Sequence, residues 1–196
     1  MIYDAYLQKQ LIRSINMLRE LFDNPAQTNL ATRTSRNHKF RFTVKTKSGV
    51  VQDYIIDFDL LYDMEELTEK PEHKKLGIWE MSFAKVIGLG KNKRADYQLV
   101  GRGEETDANK VMATIFHTTE EFVNFKKPPI LFMTSDLNEP SRVSFYKVFS
   151  RRLAPKIDCE VFSRIEFFGD DGKNAYYIFV RKEYLPLIEG LDKEPL

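Results

Sequence analysis

The spacing of apolar residues predicts a helix at the start of the chain. Five of them recur at steps of three and four, as they do on one face of a helix: Leu7, Leu11, Ile15, Leu18 and Phe22. Asn24 and Pro25 end the pattern, so the helix is assigned to residues 1–25. The polar stretch that follows, residues 26–37, has no periodicity and predicts a loop.

Alternation of apolar and polar residues predicts antiparallel strands in residues 37–100. The first strand places Phe40, Phe42 and Val44 on one face, and the turn at 47–49 leads to a second strand with the same alternation. The charged stretch 62–77 is expected to leave the sheet. A third strand is predicted at 78–89 and, after a turn at 90–95, a fourth at 96–100.

The second half of the chain, residues 101–182, predicts helix, strand, helix and hairpin. A helix begins after Thr106 or Asp107 as N-cap, and a short apolar run at 130–135 is typical of a strand buried on both faces. A second helix begins near Pro140, and strands at 159–168 and 174–182 form the hairpin. The tail predicts one short helical turn. The element order predicts a single α+β domain over residues 1–196, with helices packed on a mixed, mostly antiparallel central sheet.

Composition favours a packed protein in a reducing compartment. With 42% hydrophobic residues, the 196-residue chain can form one good-sized core. No stretch approaches the about 20 apolar residues of a membrane span, and the N-terminus does not resemble a signal peptide. Cys159 is the only cysteine, so no internal disulfide forms, and the three histidines are far apart in sequence. We therefore expect a cytoplasmic protein without a metal.

The net charge is only +1, but the charges are segregated along the chain. Residues 30–52 contain no acidic residue and carry six of the basic ones: Arg33, Arg36, Lys39, Arg41, Lys45 and Lys47. Residues 53–72 are mainly acidic. One interpretation is that neighbouring strands of opposite charge pair across the hairpin. The other is that Arg33 to Lys47 form a basic surface for nucleic acid.

Two motifs in the second half resemble the GNAT family of N-acetyltransferases. Its cofactor motif, Gln/Arg-x-x-Gly-x-Gly/Ala between the fourth strand and the next helix, is matched by residues 98–103. A later family motif, Asn-Pro followed after five residues by Tyr, is matched in part by Pro140 and Tyr146. Glu139 replaces the usual Asn, although Asn138 is adjacent. The resemblance covers roughly Trp79 to Arg181, whereas the helix and hairpin of the front half depart from the family pattern.

The resemblance implies binding of acetyl-CoA or another acyl-CoA, and transfer of the acyl group to a small-molecule or protein amine. The residues implied in cofactor binding are Gln98, Val100, Gly101, Arg102, Gly103 and Asn138. Backbone N–H groups beside the glycines can hold a diphosphate, because no Cβ blocks close approach. Splayed fourth and fifth strands would admit the pantetheine arm, and Tyr146 would be the acid toward the leaving thiolate. The candidate bases are Glu80 and Asp96, on the predicted third and fourth strands, and nothing in the sequence selects between them; each also fits a solvated residue of the sheet.

Each of these assignments has an alternative. Binding of a diphosphate at the glycines is opposed by three nearby carboxylates, those of Glu104, Glu105 and Asp107, unless they point away or cap the helix themselves. Tyr146 also fits an apolar helical stripe as a core tyrosine. The chain further resembles short GNAT-like proteins of tailed bacteriophages, which implies host cytoplasm or the virion as its location and phage structural proteins as partners. A catalytically silent binding or virion-associated protein is therefore the alternative function.

Overall fold

The computed structural model describes residues 22–46, 48–62, 77–88, 93–96, 107–137, 140–168 and 172–188. Within these ranges, eight strands form one sheet: β1 Thr28–Arg33, β2 Asn37–Lys45, β3 Val51–Tyr62, β4 Ile78–Ile87, β5 Arg94–Asp96, β6 Ile130–Asp136, β7 Cys159–Phe168 and β8 Gly172–Arg181. Two α-helices, α1 Ala108–Lys126 and α2 Pro140–Lys156, connect β5 to β6 and β6 to β7. A 3-10 helix, Lys182–Ile188, follows β8.

The sheet is mixed and mostly antiparallel. Its strand order is β1-β2-β3-β4-β6-β8-β7, with β5 paired to β4 outside this path. The pair β4–β6 is parallel, and the other pairs among the described strands are antiparallel. This confirms the predicted α+β class and the predicted order of helix, strand, helix and hairpin.

The first predicted hairpin is confirmed as β2–β3. Phe42 pairs with Tyr54 and Phe40 with Ile56, so the apolar residues of both strands share one face of the sheet. At the turn, Thr46 N donates to Val50 O at 2.7 Å. Gly49 has a φ of +88°, a conformation that glycine adopts without a Cβ clash.

The loop predicted at residues 26–37 is wrong in part, because Thr28–Arg33 is an edge strand. It pairs antiparallel with β2, and five of its six residues are exposed. Alternation arises when one face of a strand is buried and the other is solvated. Both faces of β1 are accessible, so its sequence carries no such pattern.

The fourth strand is shorter and earlier than predicted. β5 spans Arg94–Asp96, so it occupies the end of the predicted turn at 90–95 and only the first residue of the predicted strand at 96–100. The rest of that predicted strand lies outside the described residues, as do residues 1–21 of the predicted N-terminal helix. Residues 22–25, the end of that prediction, form a turn and irregular chain rather than helix, so the predicted boundary is wrong there.

Both helices pack on one face of the sheet, which we call the helix face. The largest buried cluster joins Ile115 and Phe122 of α1, Phe149 of α2, and Phe58 and Trp79 of the sheet. The Phe58 and Phe122 rings stack with centroids 3.8 Å apart. The other face, which we call the second face, carries a smaller cluster around Ile130, Val180 and Tyr184.

The ends of the helices follow the sequence signals. The Asp107 side chain caps α1 by accepting a hydrogen bond from Lys110 N at 3.1 Å. Lys127 ends α1 in a left-handed conformation, and Pro140 is the first residue of α2. Among the helices of the described ranges, none has the length and apolar character needed to cross a membrane.

Candidate functional site

The parallel strands β4 and β6 separate after a short paired region. They pair at three positions, Ile78 with Ile130, Trp79 with Leu131 and Glu80 with Phe132. Beyond these pairs β4 continues to Ile87 and β6 to Asp136. We call the space between residues 81–84 of β4 and 133–136 of β6 the fork.

The fork corrects one prediction about the splayed pair. The sequence placed the opening beside residues 96–100, the predicted fourth strand. Among the described residues, the parallel partner of β6 is β4, the predicted third strand, and β5 instead pairs antiparallel with residues 85–87 of β4, whereas residues 97–100 of the predicted fourth strand lie outside the described ranges. Strand order is a long-range property that local alternation does not encode. The candidate cleft is therefore lined by β4.

Glu80 lies where the fork begins. It is the last residue of β4 that pairs with β6, and on its other side it pairs with Asp59 of β3. Its side chain is half-buried. Burial raises the pKa of the Glu80 carboxyl, and the neighbouring Asp59 charge raises it further. A carboxylate with a raised pKa is suited to accept a proton near neutral pH.

Further carboxylates lie beside Glu80 on the second face. Asn37 Nδ2 donates to Asp59 Oδ1 at 2.5 Å. Asp57 is only 4% exposed, and burial raises the pKa of its carboxyl although Lys39 opposes the shift. Lys39 Nζ is 3.2 Å from Asp57 Oδ1, which makes an ion pair across β2 and β3. Among the described residues, the carboxyl groups of Glu80, Asp59 and Asp57 thus lie on neighbouring strands of this face, and Lys39 pairs with one of them.

Tyr146 of α2 lies across the fork on the helix face. Its ring centroid is 5.9 Å from Phe83 of β4 and 5.6 Å from Tyr177 of β8. Tyr177 in turn pairs with Met133 of β6, so Tyr146 contacts aromatic residues on both sides of the fork. The ring is buried, with 5% of the residue exposed. This position agrees with the core role that was the alternative for Tyr146, and it also places the ring at the fork.

Glu80 and Tyr146 approach the fork from opposite faces. Successive side chains of a strand alternate between faces, so Glu80 and Phe83, three positions apart on β4, point to opposite sides of the sheet. Phe83 contacts Tyr146 on the helix face. Glu80 is therefore on the second face, with the separated strands between the carboxyl group and the phenol.

Tyr177 is a member of this site that the sequence did not identify. Its hydroxyl donates to Val143 O of α2 at 3.0 Å, which fixes the helix against β8 beside the fork. Burial raises the pKa of Tyr177, so the phenol remains protonated. The alternation of β8 marks Tyr177 as inward-facing, but nothing in the sequence links it to Tyr146.

The predicted cofactor-binding residues lie outside the described ranges: Gln98, Val100, Gly101, Arg102, Gly103 and Asn138. Two other candidate residues, Asp107 and Asp96, lie within the described ranges. Asp107 is engaged as the N-cap of α1, as one alternative held. Asp96 is at the end of β5, opposite Lys85.

The contacts of His117 and Cys159 indicate structural roles for both residues. The Nε2 atom of His117 is 2.8 Å from Phe22 O, which ties the start of the described chain to α1. Cys159 is buried, and burial raises the pKa of its thiol to about 12. Within the ranges given above, no group of three or more His, Cys, Asp or Glu side chains could hold a metal ion.

Two of the described basic residues of 33–47, Arg33 and Lys39, lie on different faces of the sheet. Arg33 lies over the Phe125 ring at 4.5 Å, whereas Lys39 pairs with Asp57 on the second face. The Lys39–Asp57 pair confirms that charges of opposite sign meet across the hairpin. Lys47 lies outside the described residues. Nucleic-acid binding by this segment stays a prediction.

Comparison with known proteins assigns no family to the chain. No family model and no curated protein matches the chain. One solved structure, provisionally named as a phosphinothricin N-acetyltransferase, is similar with a TM-score of 0.38 and 12% identity, over 76% of this chain and 73% of that one. This similarity is too low to carry an argument about family or activity.

Proposed function

We propose that this protein transfers an acyl group from a CoA thioester to an amine, with the fork as its active site. The observation that carries the proposal is the separation of β4 and β6 between Glu80 on one face and Tyr146 on the other. Main-chain groups along two separated strands suit an extended ligand that itself contains amides, because such a ligand can pair with a strand. The pantetheine arm of CoA has this chemistry.

The thioester supplies the activated acyl group, and the residues of the chain position the acceptor and move protons. Asp59 and Glu80 attract the acceptor as an ammonium ion to the second face. Glu80 accepts a proton from that ammonium group, because only the free amine is nucleophilic. The free amine then attacks the thioester carbonyl, the carbon–sulfur bond breaks, and Tyr146 donates its phenolic proton to the departing sulfur on the helix face. The second proton that the nitrogen loses as the amide forms restores the phenol. The glycine stretch 101–103 is proposed to hold the diphosphate through backbone N–H groups.

Binding and chemistry are tested separately. Millimolar acetyl-CoA should raise the melting temperature by several degrees, because a ligand far above its Kd stabilises the folded state. A panel of small amines and peptides, analysed by mass spectrometry, should show addition of the acyl mass. If neither a thermal shift nor an acylated amine is found, the proposal fails. The alternative function, a catalytically silent binding or virion-associated protein, then remains.

Two variants test the proton transfers proposed for Glu80 and Tyr146. Glu80→Gln should keep the thermal shift but lose turnover at neutral pH, because the amide cannot accept a proton. Tyr146→Phe should lower kcat most for acyl donors with poor thiol leaving groups. Glu160→Gln changes an exposed glutamate of β7, at the far edge of the sheet, and is the matched control. Equal effects of Glu80→Gln and Glu160→Gln would contradict the role of Glu80.

A further inference from the structure

A second concave region crosses the second face of the sheet away from the fork. Its volume is ≈ 250 Å³, and we call it the sheet groove. It is lined by Gln27, Asn29, Arg41, Phe42, Thr43, Asp53, Ile55, Val86, Lys93, Arg94 and Ala95. The strand register explains this set, because Asn29, Arg41 and Ile55 are neighbours across β1, β2 and β3, and Val86 pairs with Ala95.

The sheet groove is separate from the fork. Val86 lies six positions beyond Glu80 on β4, which corresponds to about 20 Å along a strand. Between them on the same face of β4, Ala84 is buried, with 0% exposed. A small molecule in the groove would therefore not reach Glu80.

The charge of the sheet groove is positive. Among the described residues that line it, there are three cations, Arg41, Lys93 and Arg94, against the single carboxylate of Asp53, so two positive charges are in excess. Lys93 Nζ is 2.8 Å from Asp53 Oδ2, and this ion pair reaches from the start of β5 to β3. Among the described residues, no carboxylate lies within ion-pair distance of Arg41 or Arg94.

We propose that the sheet groove binds a small phosphate monoester through Arg41 and Arg94. A phosphate monoester carries a charge of about −1.5 to −2 at pH 7, which matches the excess of positive charge. Guanidinium groups bind phosphate oxygens with paired hydrogen bonds, and the amides of Gln27 and Asn29 add polar contacts. Ile55 and Val86 give the apolar surface against which the rest of the ligand packs. The phosphate belongs either to a free small molecule or to the end of a nucleic-acid strand.

The probes are ribose 5-phosphate, ribose, and one short DNA strand with and without a 5′-phosphate. Calorimetry should detect ribose 5-phosphate and not ribose. Tighter binding of the phosphorylated strand than of ribose 5-phosphate would identify a strand end as the source, and the reverse order would identify a small molecule. If ribose 5-phosphate does not bind at millimolar concentration, or if the unphosphorylated strand binds as tightly as the phosphorylated one, the proposal is overturned.

Four variants locate the binding. Arg41→Gln and Arg94→Gln should each weaken binding at least about tenfold, because each removes a charge-assisted contact. Lys45→Gln, which changes an exposed cation of β2 outside the groove, should leave it unchanged. Asp53→Asn should tighten binding by removing the carboxylate that lies beside the cations of the groove, a gain that a damaged fold would not produce. Equal loss in Lys45→Gln and Arg41→Gln would show nonspecific charge attraction and overturn the proposal.

Discussion

Glu80 of β4 and Asp59 of β3 are paired residues of neighbouring antiparallel strands, so their side chains share the second face of the sheet. Burial raises the pKa of Glu80, and the Asp59 charge raises it further. Two carboxyl groups at paired positions repel each other when both are ionised. This repulsion couples the stability of the sheet to the protonation state of the proposed base.

The Asp59→Asn variant should lower the pKa of Glu80 without returning it to the ordinary value of 4.5, because the effect of burial remains. The carboxyl carbon of Glu80 can be followed by NMR through a pH titration. In a transferase assay, the acidic limb of the rate profile should move to lower pH by the same amount. A pKa of Glu80 that does not change in Asp59→Asn would show that the two carboxyls do not interact.

The same pKa shift makes the stability of the protein depend on pH. Because the pKa of Glu80 is higher in the folded than in the unfolded chain, its contribution to stability is fully present below about pH 4.5 and is lost as the pH rises through the raised pKa. Glu80→Gln cannot ionise. Its free energy of unfolding relative to wild type should therefore increase with pH across that window. Urea denaturation at several pH values measures this difference, and a constant difference would contradict it.

Local patterns predicted most of the elements, but not how they pair. The alternation around Phe42 and Tyr54 predicted the first hairpin, and the Asp107 signal predicted the start of α1. The strand β1 was missed because both of its faces are exposed. Glu80 was identified as a candidate base, whereas its relation to Asp59 depends on a register between distant segments. Periodicity within one strand carries no information about that register.

The buried pair Lys39–Asp57 should matter more than the exposed pair Lys93–Asp53. Asp57 has a side chain that is 5% exposed, whereas the side chains of Lys93 and Asp53 are 50% and 40% exposed. Lys39→Met leaves a buried carboxylate without its cation and should cost about 1–3 kcal/mol at pH 7. Lys93→Met should cost about 0–1 kcal/mol.

Urea denaturation of both variants at pH 7 and at acidic pH measures this contrast. Burial raises the pKa of Asp57, so its carboxyl becomes protonated as the pH falls and no longer needs the cation. The cost of Lys39→Met should therefore shrink in acid. If the two lysine variants lose the same free energy of unfolding at pH 7, burial of Asp57 does not raise the cost of removing its cation.

Phe122 joins α1 to the sheet through its stacked contact with Phe58. Phe122→Ala should lower the free energy of unfolding by about 3–5 kcal/mol, because it removes a buried ring and leaves a cavity. Phe125 is on the same helix but is 60% exposed, with Arg33 over its ring. Phe125→Ala should cost about 1 kcal/mol or less. The denaturant midpoints of the two variants measure this difference. Similar losses of stability would show that the Phe58–Phe122 contact is not part of the stabilising core.

Thr114 holds the segment before β1 against α1. Its Oγ1 atom accepts a hydrogen bond from Ala26 N at 2.7 Å and donates to Lys110 O at 2.6 Å. Thr114→Val leaves the Ala26 amide without this acceptor and should cost about 1–3 kcal/mol. Thr119→Val is the matched control, since Thr119 is equally buried but bonds only to Ile115 O of its own helix. Amide exchange should accelerate at Ala26 in Thr114→Val and remain slow in the control.

The single thiol of Cys159 should report unfolding. Only the thiolate reacts with disulfide reagents, and burial raises the pKa of this thiol to about 12. The Sγ atom is also 3.4 Å from Ile157 O, to which the thiol donates. At pH 8 the folded protein should therefore react far more slowly than the same protein in guanidinium chloride. Because the chain has one cysteine, the absorbance of the released reagent counts unfolded molecules directly.

Destabilising variants distinguish reaction through unfolding from reaction at the surface. If Cys159 reacts only when the chain opens, its rate follows the population of the open form. Phe122→Ala should then accelerate labelling strongly, whereas Phe125→Ala should change it little. Labelling that is fast in the wild type and equal in both variants would show that the thiol is reached without unfolding. In that case the 6% exposure of Cys159 would understate its access to solvent.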